Sequence, residues 1–302
     1  MAWVAVRVRV PAKVNLHLGV GDVRPDGFHE LTNVFHAVDL VDEVCAVGAR
    51  GTSITVHGDG ADAVPTDARN LAWQAADLLA RTAGIGTDVQ LELTKAIPVA
   101  GGMAGGSADA AGALLACARL WDLDVGGAEL AALAAQLGSD SVFPLLGGTA
   151  VGTGRGEVLT PLPTAGTLHW VFALADFGIS AGAAYRELDQ LRAAGTAPPA
   201  AGAPDALLAA LAAGDTARVA AALTNDLQPA VLSLAPQLHH TLDVGAERGA
   251  LAGLVSGSGP TCAFLAADEQ AATLLGAALE ASGTCRTARI ARGPHPGAQV
   301  VR

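Results

Sequence analysis

The chain has 302 residues, 51% of them hydrophobic and only 4% aromatic, and a formal net charge of −11. That charge argues against nucleic acid or anionic membrane as a partner, and no apolar run approaches the roughly 18–20 residues of a membrane span. Cys45, Cys117, Cys262 and Cys285 contain no Cys-x-x-Cys pair, so neither a zinc site nor a disulfide framework is expected. The first residues alternate and carry arginines, unlike a secretory hydrophobic region. The expectation is a reduced, cytoplasmic protein.

Val4–Val10 and Ala12–Leu18 read as two strands meeting at Pro11. In the second, Ala12, Val14, Leu16 and Leu18 point one way while Lys13, Asn15 and His17 point the other. By itself this is the pattern of an antiparallel strand with one face in solvent. Arg24-Pro25-Asp26-Gly27 has the chemistry of a turn. A helix is predicted over Asn70–Arg81. Val89, Leu91 and Leu93 then alternate with Gln90, Glu92 and Thr94, as in a half-buried strand.

The stretch Pro98–Ala111 follows, with two Gly-Gly pairs and then Ser107; Ala110, Ala111, Leu114, Leu115 and Ala118 recur beyond it at helical spacing. A strand, a glycine loop and a helix start make an anion site, because free backbone N–H groups and the helix dipole converge on one spot. Glycines let the backbone approach a phosphate, and Ser107 is placed to cap the helix or to offer a hydroxyl. With 37 glycines in the chain, composition alone yields such clusters, so this loop needs support from elsewhere. It has neither the Gly-Lys-Ser/Thr of a Walker loop nor a Gly-x-Gly-x-x-Gly fingerprint.

Further on, Glu129–Leu137 reads as a helix stopped by Gly138, and Asp140, by itself, as a helix cap. Leu168–Asp176 reads as a strand opening a second half. Helices are predicted at Ala184–Ala194, Ala206–Leu211, Thr216–Leu223, Pro236–Arg248 and Glu269–Ser282, with a loop over Ala193–Ala206. Strands at Leu251–Ser256 and Cys262–Ala266 flank Gly257-Ser258-Gly259-Pro260. There is no internal repeat. The chain is read as α+β in two domains, 1–164 and 165–302, with one face of each sheet covered.

Several of these segments resemble the GHMP small-molecule kinases. Pro98–Ala108 resembles their glycine motif, Pro-x-Gly-x-Gly-Leu-Gly-x-Gly-Ser-Ser, with Ala100, Met103, Ala104 and Ala108 as departures. Pro11–Gly19 is similar to their first motif, in the branch lacking the Gly-Glu-His of the sugar and mevalonate kinases. Arg24-Pro25-Asp26-Gly27-Phe28-His29-Glu30-Leu31 resembles a substrate-side signature of one branch, with Phe28 in place of tyrosine. That branch phosphorylates the 2-hydroxyl of 4-diphosphocytidyl-2-C-methyl-D-erythritol. Leu137–Pro144 resembles the motif of the reactive aspartate, although Val142 and Phe143 stand in a stretch that usually holds a proline. Ser256–Thr261 is similar to the third motif, and Asn225-Asp226-Leu227 to a structural element. Ala181 replaces a usual threonine.

The resemblance implies a ribosomal protein S5 domain 2-like N-terminal domain and a ferredoxin-like C-terminal domain, with the site between them. It implies ATP and Mg²⁺ as cofactors and a small-molecule substrate. Lys13 and Asp140 take the catalytic roles. Asn70 and Lys95 flank the adenine; Pro98, Gly101, Gly102, Met103, Ala104, Gly105, Gly106 and Ser107 hold the triphosphate, with Ser107 also the candidate metal ligand. Asn15, Phe28, His29, Tyr185, Gly257, Ser258 and Gly259 bind the substrate, its cytosine lying between Phe28 and Tyr185 with His29 on its polar edge. Another GHMP kinase, of homoserine or mevalonate type, or a non-catalytic sensor on the same fold, remains the alternative.

Overall fold

The computed structural model describes residues 5–301. The long strands β1 (Ala5–Val23) and β2 (His29–Gly48) pair antiparallel. The two strands expected around Pro11 are one; Val4 lies outside the described residues. The register shifts between Pro11 and Ala12, as expected where proline has no N–H to give the ladder. β3 (Ser53–Gly58), α1 (Leu71–Ala83) and β4 (Val89–Lys95) follow, β3 lying parallel to β4. Next come α2 (Gly105–Leu120), α3 (Gly127–Leu137), a 3-10 turn at Ser139–Ser141 and α4 (Phe143–Leu146). The hairpin β5 (Thr149–Thr153) and β6 (Val158–Leu162) ends this half.

The second half holds β7 (Leu168–Leu174), α5 (Ala181–Ala193), α6 (Asp205–Ala213), α7 (Thr216–Ala222) and β8 (Thr224–Asn225). It continues with α8 (Gln228–Leu234), α9 (Leu238–Glu247), β9 (Ala252–Val255), β10 (Cys262–Ala266), α10 (Glu269–Ser282), β11 (Thr287–Gly293) and β12 (Gln299–Val301). Its four-stranded sheet has the order β11-β7-β10-β9 with antiparallel neighbours, the 4-1-3-2 arrangement of a ferredoxin-like domain. The first sheet has the order β12-β1-β2-β4-β3, with β5 on β2, β6 on β5 and β8 on β1. The 164/165 boundary read from the sequence falls between β6 and β7; β8 and β12 then cross back to the first sheet.

That return decides what covers β1. Every residue from Val10 to Val20 is buried, so the expectation of one covered face fails here. Val14 and Leu16 join a core with α2, while Leu18 and Val20 pack with Val171, Ala184 and Val231 of the second half. The supposed solvent face, with Lys13, Asn15 and His17, is interior. Helix α2 lies close on the sheet because Gly112 leaves room: a Cβ there would sit 2.6 Å from Val10 and 2.7 Å from Val44. Helix α3 does end at Gly138, but with φ 170, an extended conformation open to any residue and not the left-handed cap expected of a glycine.

Candidate active site

A cleft of about 460 Å³ opens between the halves, walled by β1, the loop between β4 and α2, the Ser139–Ser141 turn, the start of α5 and the turn after β9. The loop owes its shape to three left-handed residues, Ala100 (φ 52), Gly102 (φ 76) and Ala104 (φ 61). At Gly102 a side chain is excluded twice over, since its Cβ would also lie 2.0 Å from the Ser256 carbonyl oxygen. The loop thus rests on the C-terminal glycine turn.

Pro98, Gly101, Gly102, Ala104, Gly105, Gly106 and Ser107 all line the cleft. Three expectations need correction. Ser107 does not cap α2: the N-cap is Ala104, with no side-chain bond, and Ser107 sits inside the first turn. Met103 does not face the cleft, because its side chain is fully buried in the core. Gly257 and Ser258 line the cleft but Gly259 does not; a Cβ on Gly259 would meet Val231 at 2.8 Å, so it serves packing.

Opposite the loop, Lys13 and Asp140 come together. The Lys13 ammonium donates to Asn15 Oδ1 at 2.7 Å and stands 3.8 Å from Asp140 Oδ2. Asn15 in turn donates to Asn33 Oδ1 at 3.3 Å. Burial pulls the Lys13 pKa below its ordinary value of 10.5, and the Asp140 carboxylate pulls back. Asp140 itself is 37% exposed to the cleft and caps no helix, which removes the capping alternative. Sequence reasoning missed Asn33; the available signal was a lone asparagine sharing strand parity with Leu31 and Phe35.

Lys95 does something other than face a nucleotide freely. It shares parity with Val89, Leu91 and Leu93, the buried face of β4. An ammonium placed inward needs partners, and it has two carboxylates, Asp42 of β2 and, at 2.5 Å, Asp109 of α2, besides the Gly105 carbonyl at 3.4 Å. Burial opposes the charge on Lys95, yet the two carboxylates hold its pKa above the ordinary value. Asp42 also accepts the N–H groups of Ala96 and Ile97, at 2.6 and 2.8 Å, so the cluster anchors the root of the glycine loop. Asn70 is likewise occupied, capping α1 through Ala72 N–H at 2.8 Å and donating to Pro65 O at 2.7 Å. Asn70 and Lys95 nonetheless wall one cavity of about 230 Å³ with Gly106, which opens beside the loop.

The aromatic sandwich expected from Phe28 and Tyr185 is arranged differently. The His29 ring stacks on Tyr185, centroids 5.1 Å apart, and its Nε2 lies 2.9 Å from Asp189 Oδ1. Phe28 points outward, 55% exposed, under the Arg155 guanidinium 5.3 Å from its ring centroid. The turn fixes this, because Asp26 accepts the Phe28 N–H at 3.1 Å. Tyr185 lines the cleft, whereas Phe28 and His29 lie beyond it.

Comparison with known proteins places this arrangement. Residues 70–148 match the GHMP kinases N terminal domain, and residues 207–285 match the GHMP kinases C terminal domain. A Mycobacterium tuberculosis protein named 4-diphosphocytidyl-2-C-methyl-D-erythritol kinase is 56% identical over 302 residues, covering 99% of this chain and 95% of that protein. A protein of the same name from Rhodococcus jostii is 55% identical over 296 residues, with 98% and 95% coverage. The crystal structure of a 4-(cytidine 5'-diphospho)-2C-methyl-D-erythritol kinase superposes with a TM-score of 0.76 at 32% identity, over 94% of this chain and 98% of that one. Homoserine kinase from Cytophaga hutchinsonii also reaches a TM-score of 0.76, but at 20% identity over 98% and 97% of the two chains it attests the fold alone. The chain belongs to the GHMP kinases.

Proposed function

We propose that this kinase transfers the γ-phosphoryl group of ATP to the 2-hydroxyl of 4-diphosphocytidyl-2-C-methyl-D-erythritol. The observation that carries the reading is the Lys13–Asp140 pair facing the glycine loop across one cleft. The names of the relatives that are 55% and 56% identical support the substrate. Phosphoryl transfer asks mainly for positioning and charge stabilisation. The N–H groups at the start of α2 meet the triphosphate, and the small cavity beside Asn70 and Lys95 takes the adenine. Asp140, open to the cleft, accepts the proton of the attacking hydroxyl or aligns it. Lys13 stands 3.8 Å from Asp140 and offsets charge on the moving phosphoryl group. Asn15 and Asn33 hold the ammonium in place, and His29 with Tyr185 meets the cytosine.

Mg²⁺ fits the residues present. Ser107 lines the cleft at the first turn of α2, and among the described residues no group of three or more acidic, histidine or cysteine side chains is arranged to hold an ion. Such an ion takes few protein ligands and leans on phosphate oxygens and water, with Ser107 as the side chain to hold it. When bound it neutralises charge on the phosphates. Purified protein should phosphorylate the diphosphocytidyl substrate in an ATP-coupled assay and leave homoserine and mevalonate untouched. Turnover of either of those, with the cytidine compound inert, would overturn the assignment.

A further inference from the structure

The β5–β6 turn beside the Phe28 motif holds an arginine that the mechanism above does not use. The turn is bolted to β2: Leu31 N–H donates to Gly154 O at 2.7 Å, and Gly154 N–H donates to Glu30 Oε1 at 3.1 Å. Glu157 accepts the Arg155 backbone N–H at 2.7 Å and its Nε at 3.2 Å. With Phe28 packed against the guanidinium, the side chain is held from two directions. Its two terminal nitrogens have no hydrogen-bond partner among the described residues.

Its neighbours link it to two parts of the site. Phe28, against its guanidinium, adjoins His29, which stacks on Tyr185 at the base end, while Gly156, one residue after Arg155, abuts Asn33; a Cβ on Gly156 would lie 3.3 Å from Asn33 Nδ2. Asn33 lines the cleft that holds Asp140. A substrate with its base at the first end and its reacting hydroxyl at Asp140 carries its diphosphate across the space between. Lys13 is the one cationic side chain among the residues lining the cleft, and it is committed to Asn15 and Asp140. Arg24, one nearby alternative, is tied to Asp26 and Glu30. In a protein of net charge −11, a diphosphate needs a local cation, and arginine presents paired donors to phosphate oxygens.

We propose that Arg155 binds the diphosphate linker of the substrate, an assignment that rests on the function proposed above. Isothermal titration of wild-type protein and the Arg155→Ala and Arg155→Lys variants with CDP and with cytidine separates the linker from the base. Arg155→Ala should weaken CDP by about tenfold or more and leave cytidine within twofold, with Arg155→Lys recovering part of the loss. In turnover, Arg155→Ala should raise KM for the diphosphocytidyl substrate by a similar factor, with kcat and the KM for ATP within twofold. Equal losses for CDP and cytidine would make Arg155 a prop for Phe28 and overturn the proposal, as would unchanged CDP binding. A wild-type enzyme inert toward the diphosphocytidyl substrate would instead overturn the functional reading itself, and this assignment with it.

Discussion

Replacing Asp140 with asparagine tests the centre of the mechanism with little change of shape. At 3.8 Å the attraction between the Lys13 and Asp140 charges is about 4 kcal/mol at an effective dielectric constant of ~20. Because Asp140 is 37% exposed, water screens part of this, leaving about 1–2 kcal/mol. Without its counter-charge, Lys13 remains buried and escapes by giving up its proton; its pKa, already lowered by burial, falls further because the Asp140 contribution that raised it is gone. Stability should therefore drop only by that modest amount. Turnover should drop far more, since a positioned proton acceptor supplies ~10²–10⁴-fold. Steady-state kinetics across pH 6–10 should show kcat reduced at least a hundredfold, the KM for ATP within threefold, and loss of activity at high pH beginning at lower pH than in wild type. A variant with kcat within tenfold of wild type would refute the role of Asp140.

Gly106→Val should lower ATP affinity more than tenfold by calorimetry with the fold intact, because its Cβ meets only Leu71, at 3.5 Å, and otherwise fills phosphate space; normal ATP affinity would place the phosphates elsewhere. Gly105 is the wrong control, since its Cβ lies 3.2 Å from Ile97 and a valine there tests packing. Ala104→Gly should raise Tm by about 2 °C, because an alanine at φ 61 carries about 1 kcal/mol of left-handed strain; a lower Tm would show that Ala104 is not strained. Burial pushes His36 down to about 4 from an ordinary 6.5, so the unfolded chain takes up a proton first as pH falls. Stability should be lost between about pH 6.5 and 4, by about 3 kcal/mol from this group. Urea unfolding at several pH values should show that slope, and a His36→Gln variant that keeps it would assign the acid sensitivity to other groups.

Local chemistry was enough for much of the molecule. Period-2 alternation located β4, and the spacing of small apolar residues located α2, since both patterns follow from backbone geometry alone. The strand β10 and the helix α10 have the bounds read from the sequence, at Cys262–Ala266 and Glu269–Ser282. The glycine loop and the parity of Lys13 with Asn15 were legible too, because each is a run of neighbours along the chain.

What the chain could not announce locally was which faces would be covered. Lys13 looked solvated until the second half packed on β1 and returned β8 and β12 to the edge of β1 opposite β2. Lys95 gained its role from Asp42, which lies 53 positions away on another strand. The short strands β5, β6 and β12 and the helix α8 lacked a periodic signal of their own and exist through their partners, whereas β3 alternates in Ser53–His57 and was legible but missed. Phe28 and Tyr185 are linked in sequence only by resemblance. The structure parts them, because a turn bonded to Asp26 sends one ring outward and leaves the other to stack with His29. Burial and charge pairing arise between segments remote in sequence, so only the tertiary structure decided them.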